Sequence, residues 1–522
     1  MRENGNRILR HTTNVAAMTL VSRLLGYVRD RVLAGLLGTS YWADAFYIAF
    51  RIPNTFRRFV AEGAMTAALV PVLSESFEAD DKERSWLFAR RFLYVFGVFL
   101  VIFGLVGSLA APVIVKLMAW ELAQKAPQVY VLTRHLTALL FPYITLISLS
   151  AVAMGILNCR DVFALPALTP AFLNVTIVVF AIVWGYHSNN PTEVLAYGVL
   201  TGGLIQFVVQ IPLLKKEGMS FRPAFTLRDE RVMRVFKLMV PGILGAGAGQ
   251  LTILVGTALA HMVGEGAVSA LYYANRVTEL AFGLFAVSLS TVILPSLSRQ
   301  VADGDKPGLE SILSRGLSGV IFVILPASAG ILALSGPIVN VLFRTGRFSS
   351  ESVALTVGPL IAYALGMVPW AAALILVRVC HAHQDMTTPL WAGMASLVVF
   401  TASALYLMGP AGATGIALAS SISALVNGAW LAVGLRRKHG VRVPLGALSP
   451  VAFRILLLSV GMGFIAWWLE QSLPHGRMFI NAFSLFVAIG AGVVIYAMGA
   501  WILRFPEARF FGDILMKRLR GR

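Results

Sequence analysis

Residues 22–62 read SRLLGYVRDRVLAGLLGTSYWADAFYIAFRIPNTFRRFVAE. The stretch is apolar enough to lie in a membrane, yet it carries Arg23, Arg29, Asp30, Arg31, Asp44, Arg51, Arg57, Arg58 and Glu62. Ionisable groups at membrane depth are costly and persist mainly where they face a cavity, a partner or a cargo. Most of the remaining chain reads as scaffold for this stretch, with Arg276 far downstream as its companion.

The 522 residues are 57% hydrophobic and 13% charged, with a mean hydropathy of +0.77. Soluble domains carry about 25% charge, so the class is a polytopic membrane protein. The net charge of +18 comes from 43 Lys+Arg against 25 Asp+Glu. In a soluble protein that balance suggests nucleic acid. In a membrane chain it suggests cationic cytoplasmic loops beside anionic membrane lipids, and no nucleic-acid partner is expected. The two cysteines, Cys159 and Cys380, form no CxxC pair and imply no disulfide framework. Arg2, Arg7 and Arg10 precede an apolar run as in a secretory leader, but Arg23 and Arg29 break the run and no clean small-residue cleavage site follows. The expectation is a retained first helix.

A spanning helix needs about 20 mostly apolar residues. Residues 92–115, 162–186, 194–214, 238–260 and 479–503 contain no Asp, Glu, Lys or Arg. With the less clean segments there are fourteen expected spans: 13–37, 41–74, 92–118, 131–158, 162–186, 194–214, 236–261, 267–298, 316–343, 352–377, 388–408, 413–435, 452–470 and 479–503. If the N-terminus is cytoplasmic, the loops and tails on that side hold 30 Lys+Arg, counting Lys237 and Arg454 at the starts of spans 7 and 13. The opposite side holds Lys116, Lys125, Arg344, Arg347 and Arg477. One missed span would scramble this asymmetry, which is the positive-inside pattern. Both termini are therefore expected in the cytoplasm.

The chain also repeats itself. Tyr47-Ile-Ala-Phe-Arg51 resembles Tyr272-Tyr-Ala-Asn-Arg276, and Leu69-Val-Pro-Val-Leu-Ser74 resembles Ile293-Leu-Pro-Ser-Leu-Ser298. Arg160-Asp161 parallels Gln384-Asp385, and Thr169-Pro170 parallels Thr388-Pro389. The four offsets are 225, 224, 224 and 219. Six spans separate the copies, so the repeats share one orientation, as in a two-lobed transporter with its site between the lobes. The fold class is all-α: two pseudo-symmetric six-helix lobes at 1–218 and 219–438, then two C-terminal helices and a cytoplasmic tail at 439–522.

On a regular helix Arg23, Gly26, Tyr27 and Asp30 share one face, whereas Arg29 lies about 120° from Arg23. Both arginines reach one cavity only if the helix bends, and Gly26 permits that. Pro53 removes a backbone donor and is expected to break or kink span 2. Arg51, Asn54, Arg58 and Glu62 then form a polar stripe in which Arg58 and Glu62 are placed for an i,i+4 ion pair. A guanidinium stays charged and grips phosphate oxygens in bidentate fashion. Several arginines outnumbering acids favour an anion, and a pyrophosphate-linked lipid suits such a cavity, head among the charges and tail in hydrocarbon. The bland reading is that these arginines snorkel to the interface or pair with Asp30, Asp44 and Glu62.

Other motifs read as structural. The glycine-rich run 242–249 resembles a nucleotide loop but lies in an apolar span with no strand before it, so close helix packing is expected. Cys380-His-Ala-His383 lacks a second cluster, and no metal site is expected. Asp385 could bind a coupling cation or cap a helix, and the cap is favoured. No P-loop, nucleophile triad or paired-carboxylate set appears, so neither an ATPase nor a hydrolase is expected.

Ser22-Arg-Leu-Leu-Gly-Tyr-Val-Arg-Asp30, Asp44-Ala-Phe, residues 53–63 (PNTFRRFVAEG) and Tyr272-Tyr-Ala-Asn-Arg276 with Glu279 resemble the MurJ (MviN) family of lipid II flippases, in the multidrug/oligosaccharidyl-lipid/polysaccharide exporter superfamily. The resemblance runs from about Thr13 to the C-tail. It implies fourteen spans, a central cationic cavity and a groove beside the last two helices for a polyprenyl tail. It places the cavity arginines at Arg23, Arg29, Arg57 and Arg276, with Ser22, Gly26, Asp30, Asp44, Arg51, Asn54, Arg58, Glu62 and Glu279 in support. The family motif favours Arg57 where the helical stripe favours Arg58. Asn275 stands where an acid is common and Arg51 where Lys is common. Span 7 has no Asp or Glu, so the sodium site of some members is not carried over.

The implied function is flipping of lipid II, the undecaprenyl-pyrophosphate-linked peptidoglycan precursor, across the bacterial inner membrane by alternating access. No enzyme activity and no cofactor are implied. Coupling to a monovalent cation gradient or to the membrane potential is open, and contacts with the cell-wall synthesis machinery are expected by analogy. The alternatives are export of another polyprenyl-pyrophosphate-linked glycan, or drug/cation antiport, which an arginine-rich cavity opposes. The orientation predicts that Arg344→Cys and Arg477→Cys react with an impermeant maleimide in intact spheroplasts, and that Lys216→Cys and Arg436→Cys react only after lysis.

Overall fold

The computed structural model describes residues 2–57, 65–79 and 82–508, and their side chains except those of 2–17, 241–246, 248 and 284–292. Among the described residues there are helices and turns and no strand. In chain order the helices are α1 (Arg2–Leu37), α2 (Tyr41–Arg57), α3 (Thr66–Ala79), α4 (Lys82–Met118), α5 (Leu122–Lys125), α6 (Pro127–Leu140), α7 (Tyr143–Asn158), α8 (Ala164–Val183) and α9 (Pro191–Val208). There follow α10 (Ile211–Lys216), α11 (Glu230–Val263), α12 (Ala267–Ala302), α13 (Lys306–Phe343), α14 (Ser350–Ala382), α15 (Thr387–His439), α16 (Leu445–Ser472) and α17 (Met478–Ile502).

Among the described residues, each expected span falls on helix. Span 2 corresponds to α2 and α3, and span 4 to α6 and α7. Spans 11 and 12 are the two halves of α15, which turns at Gly412 (φ 56°, ψ −135°), a backbone state open to glycine. Among the described residues, nine helical stretches are long and apolar enough to cross a membrane. Leu109, Tyr406 and Phe479 are each at least 80% exposed, as side chains facing lipid would be. The protein is an all-α polytopic membrane protein.

The chain divides into two compact units, Met1–Ser269 with Thr345–Phe348, and Ala270–Arg344 with Ser349–Arg522. In the first, α1 packs on α8 and α8 on α9, α2 on α6, and α4 on α6 and α7. Phe92, Phe96, Phe99 and Phe103 fall on one face of α4 and stack in succession, with Phe236 of α11 against the first three. In the second, α13 packs on α14, α16 and α17, and α14 on α15. The repeat-defined lobes are a property of the sequence, and the compact units are a property of contact; α11, in the second lobe, lies in the first unit.

Inside a membrane a carbonyl released by a proline has no water to turn to. Pro142 cannot donate to the Ala138 carbonyl, and the Ser108 hydroxyl donates to it at 2.8 Å. Pro170 leaves the Pro166 carbonyl, which accepts from Thr169 at 2.8 Å. Pro326 leaves the Phe322 carbonyl, which accepts from the buried Tyr496 hydroxyl at 2.7 Å. This last bond fixes α17 to α13 within a cluster of Phe322, Ile455, Met462, Ala500 and Phe505. Pro53 does not break its helix: α2 continues through it to Arg57.

The sequence repeat reappears as matching helix ends. After α7, Asp161 has φ 59° and the Val162 N–H donates to the Leu157 carbonyl at 3.0 Å. After α14, Gln384 has φ 56° and the Asp385 N–H donates to the Cys380 carbonyl at 2.9 Å. Both are Schellman-type caps. They pair Asp161 with Gln384, one residue out of register with the pairing read from sequence, because the left-handed residue sets the alignment. Gly218 (φ 108°) and Gly440 (φ 67°) likewise close α10 and α15.

Tyr496→Phe is expected to lower stability by about 1–2 kcal/mol, because the Phe322 carbonyl loses its donor. In a Pro326→Ala background the backbone N–H returns and the same change becomes nearly neutral. A double-mutant cycle on thermal unfolding in detergent checks this.

Candidate functional site

The charged stretch begins on α1. Arg29 is 9% exposed and Asp30 is fully buried. The guanidinium grips one carboxylate oxygen of Asp30 through Nε (3.0 Å) and Nη2 (2.6 Å). Its Nη1 donates to Oδ1 of Asn174 on α8 at 2.9 Å, and Asn174 Nδ2 donates to the Ser22 carbonyl at 3.2 Å. A buried guanidinium is tolerable only with charge compensation and satisfied donors, and this network supplies both. It also ties α1 to α8 on either side of the buried Gly26. Arg23 is exposed, so the two arginines of α1 occupy different surroundings.

On α2, Arg57 Nε donates to Asn54 Oδ1 at 2.9 Å. Asn54 thus serves Arg57, the position favoured by the family motif. Arg58 and Glu62 lie outside the described residues. Arg51 donates through Nη1 to Thr257 Oγ1 on α11 at 2.7 Å. In the second unit, Glu279 accepts from Arg276 Nη1 at 3.2 Å and from Asn275 Nδ2 at 3.0 Å. The asparagine that replaces a common acid therefore joins the carboxylate that faces Arg276.

Asp44 is turned to the backbone. Its two oxygens accept from the Gly266 N–H and the Ser269 N–H, each at 2.8 Å. They cap the start of α12, where orphan N–H groups and the helix dipole favour an anion. Glu265 returns the contact by accepting from the Tyr41 N–H at the start of α2, at 3.2 Å.

The remaining motifs are structural. Residues 242–249 lie within α11. Packing does not explain all of that run, since a Cβ at Gly247 or Gly249 would meet nothing within 4 Å. Asp385 caps α15: Oδ1 accepts from the Thr387 and Thr388 N–H groups, both at 3.0 Å, and Oδ2 meets His439 Nε2 at 3.1 Å. Burial works to raise the Asp385 pKa, but the bonds from Thr388, His439 and Thr387 outweigh it and hold the carboxyl well below the usual range. No group able to hold a metal ion occurs among the described residues.

The family description "Lipid II flippase MurJ" matches residues 33–487. The chain belongs to the MurJ family. It is similar to the Lipid II flippase MurJ of Burkholderia cenocepacia, at 32% identity over 96% of this chain and 99% of that one. It is also similar to the Probable lipid II flippase MurJ of Vibrio cholerae serotype O1, at 33% identity over 94% and 95%. A solved structure titled Lipid II flippase MurJ, inward closed conformation, superposes with a TM-score of 0.77 and 25% identity, over 96% of this chain and 99% of that one. An inward-facing multidrug resistance MATE family transporter of the MOP superfamily shares the fold, with a TM-score of 0.68 at 13% identity over 84% and 99%. MurJ is a transporter family, so the chain is a carrier and not a catalyst.

Asn174 was absent from the residues singled out by sequence. Its only signal was an amide in an otherwise apolar span. Asn174→Leu strands one Arg29 donor in a buried site and is expected to cost about 1–3 kcal/mol, read by thermal unfolding. Asp385→Ala is expected to cost about 1 kcal/mol as a lost cap. Because its folded pKa is depressed, the carboxylate's contribution is whole above about pH 4 and is lost as pH falls through the folded value. A pH series of unfolding curves, with and without Asp385→Ala, checks the sign.

Proposed function

We propose that this protein flips lipid II, an undecaprenyl-pyrophosphate-linked peptidoglycan precursor, from the inner to the outer leaflet of a bacterial inner membrane, with both termini in the cytoplasm. The observation that carries the proposal is the retention of guanidinium groups in largely apolar helices, with polar partners on hand. Arg29 rests on Asp30 and Asn174, Arg57 on Asn54, and Arg276 on Glu279. Relatives that cover nearly the whole chain carry the name lipid II flippase, and the name supplies the cargo that suits such a set of cations.

In this reading Arg23, Arg29, Arg57 and Arg276 take the pyrophosphate. An arriving phosphate competes for guanidinium donors that are lent to carboxylates and amides in the empty state. The acids and amides then hold the guanidinium groups in orientation between cycles. Alternating access would carry the head group outward, where binding weakens for release. A cation gradient or the membrane potential would supply direction, and the cell-wall synthesis machinery would take the product.

The test is the amount of lipid II reachable by a periplasmic lipid II-cleaving probe in cells that depend on this protein. Arg29→Ala and Arg276→Ala are expected to collapse exposed lipid II while total lipid II rises, at unchanged protein level. Unchanged exposure in both variants would remove these arginines from the transport step. Unchanged exposure on depletion of the whole protein, in a strain without a second flippase, would shift the cargo to another polyprenyl-pyrophosphate-linked glycan.

A further inference from the structure

The C-terminal half of α11, the outer half in the orientation proposed above, carries a polar line through an apolar span. Gln250, Thr257 and His261 follow at intervals of seven and four residues and so share a face. Thr257 is 2% exposed; it receives Arg51 at 2.7 Å and donates to the Ile253 carbonyl at 2.8 Å. One turn on, His261 is 6% exposed, and neither ring nitrogen has a hydrogen-bond partner among the described residues. The Ala258 carbonyl lies beside the ring but outside hydrogen-bond geometry. Oε1 of Gln250 is likewise without a partner.

An imidazole in that setting is a poor packing residue. Each buried polar atom left unsatisfied costs the desolvation of that group with nothing in return, and a leucine would fill the space without that cost. Buried orphans of this kind call for a specific explanation, and intramembrane ionisable groups mark ion and proton paths. The charged groups whose fields reach the ring are Glu121 and Lys125, which pair with each other at 2.7 Å in the turn beyond α4. On the elements packed against α11, α2 contributes Asp44, engaged with the backbone, and Arg51, engaged with Thr257. On α3, Glu75 pairs with Arg234 at the opposite end of α11, and Lys116 occupies the last turn of α4.

We propose that His261 is a proton-binding site reached from the Glu121–Lys125 side, and that its protonation sets a second cation one turn from the Arg51–Thr257 contact and loosens α2 from α11. The proton comes from water at the outer face and takes a ring lone pair, turning a neutral imidazole into a cation. No redox partner is involved. Protonation would then bias the helix pair that carries Arg51 and Arg57, and so link the transport cycle to outer pH. That coupling rests on the transport reading, whereas the protonation itself does not.

Two measurements test it. In purified protein with 15N-labelled histidine, the ring signal absent from His261→Gln should titrate between about pH 5 and about pH 8. A signal that stays in one form across that range overturns the site. In cells held at defined outer pH, exposure of lipid II by the wild type should change about threefold or more over the same interval, while His261→Gln and His261→Asn, at equal expression, stay flat. A wild-type profile in both variants overturns the coupling. A titrating His261 in a protein that exposes no lipid II at any pH would overturn the cargo reading and leave the proton site standing.

Discussion

The bonds from Arg29 to Asp30 and Asn174 set the terms for the first unit. A guanidinium in an apolar span must keep its charge compensated and its donors occupied, or the span does not insert stably. Asp30 supplies the charge from the next residue on the same helix, and Asn174 supplies a further acceptor from α8. Because Asn174 also holds the Ser22 carbonyl, the same side chain fixes where α1 lies on α8. The position of the cation and the packing of two helices are thus one constraint.

The same requirement acts on the backbone. Prolines recur inside the helices, and each releases a carbonyl that hydrocarbon cannot solvate. At Ala138, Pro166 and Phe322 a hydroxyl meets that carbonyl. Two of these hydroxyls come from another helix, so a local defect becomes a tertiary bond. Helix starts are handled alike: Asp44 serves the start of α12, and Glu265 the start of α2. In a medium where the hydrophobic effect does little between helices, such polar bonds carry an unusual share of specificity.

These bonds suit a carrier. A cation site that must bind and release needs substitutes for the cargo in its empty state. Glu279 beside Arg276 and Asn54 beside Arg57, each three residues from its arginine, fill that place in the proposed reading.

The all-helical membrane class and the placement of arginines in apolar segments follow from sequence alone, because length and hydropathy are local and membrane insertion reads them locally. The repeat was legible too, though one pairing shifted by a residue once the left-handed caps at Asp161 and Gln384 were seen. The preference between Arg57 and Arg58 could not be drawn from helical spacing, since it depends on how α2 passes Pro53. What only tertiary structure decided is the identity of the partners. Asn174 is 145 residues from Arg29, and Gly266 is 222 residues from Asp44. An amide or a carboxylate in an apolar span announces that it needs a partner. Which partner it finds is settled by helix packing, and no local pattern encodes that.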